Sequence, residues 1–140
     1  MRILFRMLVL SGLFAAASPA LAGELKLQLT GLKPKGQVMV ILFDAEQAWK
    51  AKEGAVREVR RRVGTAVTEI SVADLKPGTY GAMVFQDLNL DGKMNFTPVG
   101  MPLEPYGFSN NSRGLFGPPA WGRAAFRFGG QPATHAIRLR

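Results

Sequence analysis

From residue 25 onward the chain alternates apolar and polar residues, the period-two pattern of strands with one buried face. Leu25, Leu27 and Leu29 interleave with Lys26, Gln28 and Thr30. Residues 31–36, which include Gly31, Pro34 and Gly36, predict a turn. Residues 38–43 are apolar without a break, which predicts a central strand covered on both faces. Residues 44–52 fit one or two helical turns, with Asp44 as N-cap and Trp49 packing inward. Residues 56–63 suit helix or strand, and Gly64-Thr65 followed by the strand-like run 66–72 favours a hairpin. The turn Leu75-Lys76-Pro77-Gly78 leads into an apolar strand over 79–86. Late strands are expected at 124–128 and 134–139, separated by Gly129-Gly130-Gln131-Pro132.

About seven short strands with regular turn signals predict an all-β fold, a single β-sandwich of the immunoglobulin or transthyretin kind. Residues 87–121 break the rhythm. They hold Pro98, Pro102, Pro105, Pro118 and Pro119, together with Gly92, Gly100, Gly107, Gly114 and Gly117. A Gly/Pro-rich loop this long inside a compact domain is functional or is held by something.

The N-terminus sets the expected compartment. Arg2 and Arg6 precede an apolar run over 7–17, Ser18-Pro19 ends it, and Ala20-Leu21-Ala22 is a small-x-small cleavage site. This predicts a signal peptide over residues 1–22 and one domain over residues 23–140. The run is shorter than the roughly 20 residues that span a bilayer. No later segment reaches that length, so no transmembrane segment is expected in the mature chain. There is no cysteine, which excludes disulfides, thiolate zinc sites, cysteine nucleophiles and a lipidated N-terminal cysteine. A secreted bacterial protein, periplasmic or extracellular, is expected. The formal charge is +8, of which Arg2 and Arg6 supply two. In an envelope the matching polyanions are lipid headgroups and surface polysaccharides, and nucleic acid is not an expected partner. Envelope polysaccharide or another envelope protein is.

The run most informative about chemistry is Asp87-Leu88-Asn89-Leu90-Asp91-Gly92-Lys93-Met94-Asn95. Oxygen-bearing side chains recur at Asp87, Asn89, Asp91 and Asn95, and Gly92 stands where the chain must turn. This matches the first half of a calcium loop, D-x-[DN]-x-[DN]-G. Calcium is a hard cation that takes six to eight oxygens, and alternate residues of a tight loop can converge on one. The expected donors are Asp87, Asn89, Asp91, the Lys93 backbone carbonyl and Asn95. Position twelve is Pro98, so the closing glutamate is missing, and Glu104 is the nearest candidate to replace it. The competing reading is an Asx-rich turn that ends a strand.

Tyr106, Phe108, Asn110 and Trp121, with Phe116, lie in or beside the long loop. They could line a carbohydrate or peptide groove, or pack the loop onto the sheet, and a long loop needs such anchors. Arg57, Arg60, Arg61 and Arg62 read as a solvated strand face. His135 is the only histidine and shares parity with Ile137 and Leu139, which suits a partly buried structural residue. Ser109 and Ser112 lack a G-x-S-x-G elbow. Glu104 with Asp87 or Asp91 could in principle act as a hydrolytic carboxylate pair, though only the presence of acids supports that.

The Pro-Gly-Thr-Tyr turn, the D-x-N-x-D-G-K run, Gly100-x-Pro102-x-Glu104-x-Tyr106-Gly107-Phe108-Ser109-Asn110-Asn111 and the later Phe116-Gly117-Pro118-Pro119 step occur in that order. Together they resemble the exported bacterial family catalogued as domain of unknown function 2141, over residues 25–139. The resemblance implies a β-sandwich of transthyretin or carboxypeptidase-regulatory type with no assigned activity. The family pattern usually has aspartate where this chain has Asn95, which removes one charge from any ion site. The expectation is a secreted, non-enzymatic binding or structural module, with calcium in the 87–95 loop. A carbohydrate- or peptide-binding module built on the 106–121 loop is the alternative, and a hydrolase comes third.

Overall fold

The structure is a computed structural model and describes residues 22–140. Apart from Ala22, the expected signal peptide lies outside the described residues. Eight strands form two sheets: β1 (Gly23–Thr30), β2 (Gln37–Phe43), β3 (Arg57–Arg62), β4 (Val67–Leu75), β5 (Gly78–Asp87), β6 (Tyr106–Phe108), β7 (Phe126–Phe128) and β8 (Ala133–Arg138). Helix α1 (Glu46–Ala51) and the single-turn helix α2 (Trp121–Ala124) complete the fold. The three-stranded sheet runs β4-β1-β8, and the larger sheet runs β3-β2-β5-β6. Strand β5 is long enough for two short partners in line, β6 beside residues 83–85 and β7 beside residues 78–80. The all-β sandwich is therefore the architecture of this chain.

The two sheets read differently in sequence because they are buried differently. In β1 the leucines point into the sandwich, while Lys26 faces out and pairs with Glu69 at 3.1 Å. In β2, Val38, Val40 and Leu42 enter the inter-sheet core with Ile70, Val72, Val84 and Ile137. The alternate residue Phe43 enters a second cluster on the other face, with Trp49, Phe108 and Ala124. The unbroken apolar run of β2 is thus a strand covered on both sides, as expected.

Three expectations need correction. Strands β3 and β4 do not form a hairpin: β3 pairs with β2 and β4 with β1, so the chain crosses between sheets at residues 63–66. Two strands that each carry one apolar face can serve different sheets as easily as pair with each other. Asp44 does not cap α1: the N-cap is Ala45, with no side-chain cap hydrogen bond. Ala124 ends α2 and does not begin β7. The structure also adds β6, three residues long, and the parallel pairing of β8 with β1, which period-two reading does not reveal. Among the described residues no helix is long and apolar enough to cross a membrane.

Candidate functional site

The acidic loop leaves the end of β5. Asp87 is fully buried. One of its carboxylate oxygens accepts the Asp91 N–H at 3.2 Å. The other accepts the Gly92 N–H at 2.8 Å and the Gln37 side-chain amide at 2.8 Å. Burial pushes the Asp87 carboxyl up, but hydrogen bonds from Gln37 and from the backbone of Gly92, Leu90 and Asp91 outweigh it and hold the group below the usual aspartate range. Gly92 has a φ of +77°, the left-handed conformation that brings its N–H under Asp87. Leu90 adopts the same region, φ +65°, where a branched side chain is strained.

Asp91 is exposed and organises the second half of the turn. It accepts the Lys93 N–H at 2.9 Å and the Asn95 amide at 2.8 Å, with Asn89 at 3.2 Å. The Asn95 hydrogen bond is the largest cause of its lowered pKa. The other Asn95 side-chain atom, Oδ1, is buried without a donor. Glu104, sixteen residues beyond Leu88, is also buried. It accepts the Leu88 N–H at 2.8 Å with one oxygen and the Asn95 N–H at 3.1 Å with the other. The structure thus gathers Asp87, Asn89, Asp91, Asn95 and Glu104 into one hydrogen-bonded loop. The carboxylate oxygens of Asp87, Asp91 and Glu104 meet the loop's own N–H groups, and among the described residues no three His, Cys, Asp or Glu side chains form a cluster able to hold a metal ion.

Two glutamines that the sequence reading passed over brace this end. Gln37 reaches Asp87, and the fully buried Gln86 accepts the Lys33 N–H at 2.9 Å while donating to the carbonyls of Lys33 and Lys35. Gln86, a polar residue next to a long apolar strand and directly before Asp87, was the available signal.

The aromatic candidates do not form one surface. Trp49 is buried and meets Phe43, Phe108 and Trp121 edge-on at 5.8, 6.0 and 5.8 Å, and its indole N–H donates to the Pro119 carbonyl at 2.8 Å. Gly81 is required beneath it, because a Cβ there would lie 2.7 Å from the Trp121 ring. Phe108 and Trp121 thus join packing around Trp49. A shallow depression lined by Lys50, Lys52, Pro118 and Trp121 is what stays open. Tyr106 is half-buried under the Arg140 guanidinium, 5.6 Å from its ring. Asn110, with φ +58°, donates to the carbonyls of Arg123 and Ala125.

Ser109 is buried; its hydroxyl accepts the Ala82 N–H at 2.9 Å and donates to the Ala124 carbonyl at 2.6 Å. Ser112 donates to the Ser109 carbonyl. His135 is half-buried, stacks on Phe126 at 4.1 Å and accepts the Asn110 N–H with Nε2 at 3.1 Å. Desolvation lowers its pKa, which favours the neutral ring that this bond requires. The four arginines of the 57–62 run are exposed on β3, an edge strand of the larger sheet.

A family model described as an uncharacterized protein conserved in bacteria (DUF2141) matches residues 28–136. No curated protein and no solved structure matches the chain.

Proposed function

The chain belongs to the bacterial family DUF2141, and on that premise we propose that it is an exported, non-enzymatic β-sandwich serving as a binding or structural module of the cell envelope. One observation carries this reading: both buried carboxylates are engaged by backbone N–H groups of the loop they organise. A general acid or base needs a lone pair or proton facing a substrate. Acids engaged as Asp87 and Glu104 are hold a shape instead. Export is supported by the signal-like pattern of residues 1–22.

The test is Glu104→Gln. The amide can accept at only one end, so a buried N–H loses its partner, and the melting temperature should fall with protection of the 88–104 amides. A chromogenic glycoside or ester hydrolysed by the parent, with turnover lost in Glu104→Gln at unchanged melting temperature, would overturn the reading.

Calcium in the loop is the second reading. The buried, donorless Asn95 Oδ1 favours it. So does the lack of any salt bridge to Asp87, Asp91 or Glu104 among the described residues. Asp87, Asn89, Asp91 and Asn95 would hold the ion through side-chain oxygens and Lys93 through its carbonyl, with Glu104 bracing the loop behind them. A ligand at a hundredfold its Kd adds about 2.7 kcal/mol, several degrees for a domain of this size. Melting in calcium against EDTA measures it. Asn95→Asp should enlarge the shift, because a carboxylate facing Asp91 needs a cation between them. No calcium shift in either protein removes the ion from the proposal.

A further inference from the structure

Between Asn95 and Glu104 the chain makes a small hairpin that stays largely exposed among the described residues. Phe96 and Pro102 form its bridge. The Leu103 N–H meets the Asn95 carbonyl at 2.9 Å, the Thr97 N–H meets the Met101 carbonyl at 2.8 Å, and the Gly100 N–H meets the Thr97 carbonyl at 2.9 Å. The Met101 N–H bonds the Thr97 hydroxyl at 3.0 Å. Glu104 pins the base through Asn95. The side chains this rigid finger displays are apolar: Phe96 is 55% exposed, Val99 83%, Met101 63% and Leu103 59%. Four exposed large apolar side chains on one hydrogen-bonded hairpin mark a candidate interaction site.

The finger's base is basic. Lys93 precedes it and is exposed. Arg62 and Gln37 share a row with Asp87, where the loop begins. Gln86 holds the turn that carries exposed Lys33 and Lys35. Arg140 lies over Tyr106, two residues beyond Glu104. Against these cations, Asp91 is the one exposed acid within residues 88–104.

The geometry points to an anionic phospholipid bilayer as the partner, with the finger entering the interface and the cations resting on the headgroups. This rests on the reading of the domain as a binding module and names its surface. Two features favour lipid over a protein groove. Pro98 and Pro102 carry no N–H, and of the seven other residues from Asn95 to Leu103, five have their N–H bonded within the loop, so only the Phe96 and Val99 N–H groups would enter an apolar boundary without a partner there. From base to tip the finger is four residues, at most about 13 Å at about 3.3 Å each, enough to reach the roughly 5–10 Å depth of interfacial binding.

The chain has no cysteine, so a single introduced one can carry an environment-sensitive fluorophore. Val99→Cys, labelled in the full chain, should shift to the blue with phosphatidylglycerol/phosphatidylcholine vesicles and not with phosphatidylcholine alone. Phe116→Cys, a still more exposed site on the segment packed at the Gly81 end, should not shift, which separates the finger from insertion by the apolar N-terminus. Each of Lys33→Gln and Lys35→Gln should weaken partition about fivefold at low salt. No shift at position 99 with anionic vesicles, or an equal shift at 116, overturns the membrane proposal. A stronger response at 99 to soluble polyglutamate than to vesicles also overturns it in favour of an acidic macromolecule, and leaves the binding-module reading standing.

Discussion

Two long excursions flank the short strand β6, and opposite chemistry holds them. Residues 88–104 are held by carboxylates: Asp87 and Glu104 go inside and their neighbours Leu90, Phe96 and Leu103 go outside. Residues 109–125 are held by packing: Trp49, Trp121, Phe108 and Ala124 form a cluster, with Ser109 and Asn110 as local ties. The first inverts the usual distribution of polar and apolar side chains; the second follows it. Burial of a charged group is tolerable only when its hydrogen bonds are met, and every oxygen of Asp87 and Glu104 is met. The first loop therefore displays apolar residues, while the second spends its own on packing.

Substitutions should separate the two. Trp49→Ala, in the packed excursion, should cost about 3–5 kcal/mol in global stability, read by denaturant unfolding. A loss under about 1 kcal/mol would mean that the cluster around Trp49 is ornamental.

Asp87→Asn should cost about 1–3 kcal/mol by leaving loop N–H groups without a carboxylate. It should also change the acid limb. The folded pKa of Asp87 is depressed, so its contribution is full above the unfolded value of about 3.9 and is lost as pH falls through the folded value. The variant should therefore show a flatter decline of stability below about pH 4. Parallel acid limbs for parent and variant would contradict the charge-held description.

Leu90→Asn should move stability the other way, by up to about 1 kcal/mol, since asparagine tolerates the left-handed backbone that leucine adopts at some expense. A destabilised variant would show that the partly exposed Leu90 side chain contributes packing of its own.

The smallest effect belongs to His135, which ties the packed excursion to β8. Its folded pKa lies below the ordinary value of about 6.5, because burial disfavours the charged ring. Stability should be flat above pH 6.5 and decline as pH falls toward the folded pKa, where only the unfolded chain takes up the proton readily. His135→Gln should remove that slope between neutral and mildly acid pH, and a slope of unchanged size would assign it to other groups.

Much of the fold was legible because side-chain period reports burial directly. Alternation in β1 and its absence in β2 correspond to one covered face and two. The inward Trp49 and the strand-ending turn at Asp87 followed from the same local rules. Where local patterns are ambiguous, the sequence misled: the run 56–63 favoured a hairpin with 66–72, yet it satisfies an edge strand of another sheet equally well. In the candidate site the residues Asp87, Asn89, Asp91, Asn95 and Glu104 were all visible as acids and amides. Gln37 and Gln86 were not, because their role depends on partners 50 and 53 residues away.

The sequence by itself determined most of the strands, the two kinds of sheet face, the family and the position of an oxygen-rich turn, since each is written in residues close along the chain. Only the tertiary structure decided which sheet β3 and β4 join, that β8 runs parallel to β1, and which way the acids point. Those are choices between partners remote in sequence, settled by which arrangement buries the apolar faces and satisfies every buried N–H and carboxylate together.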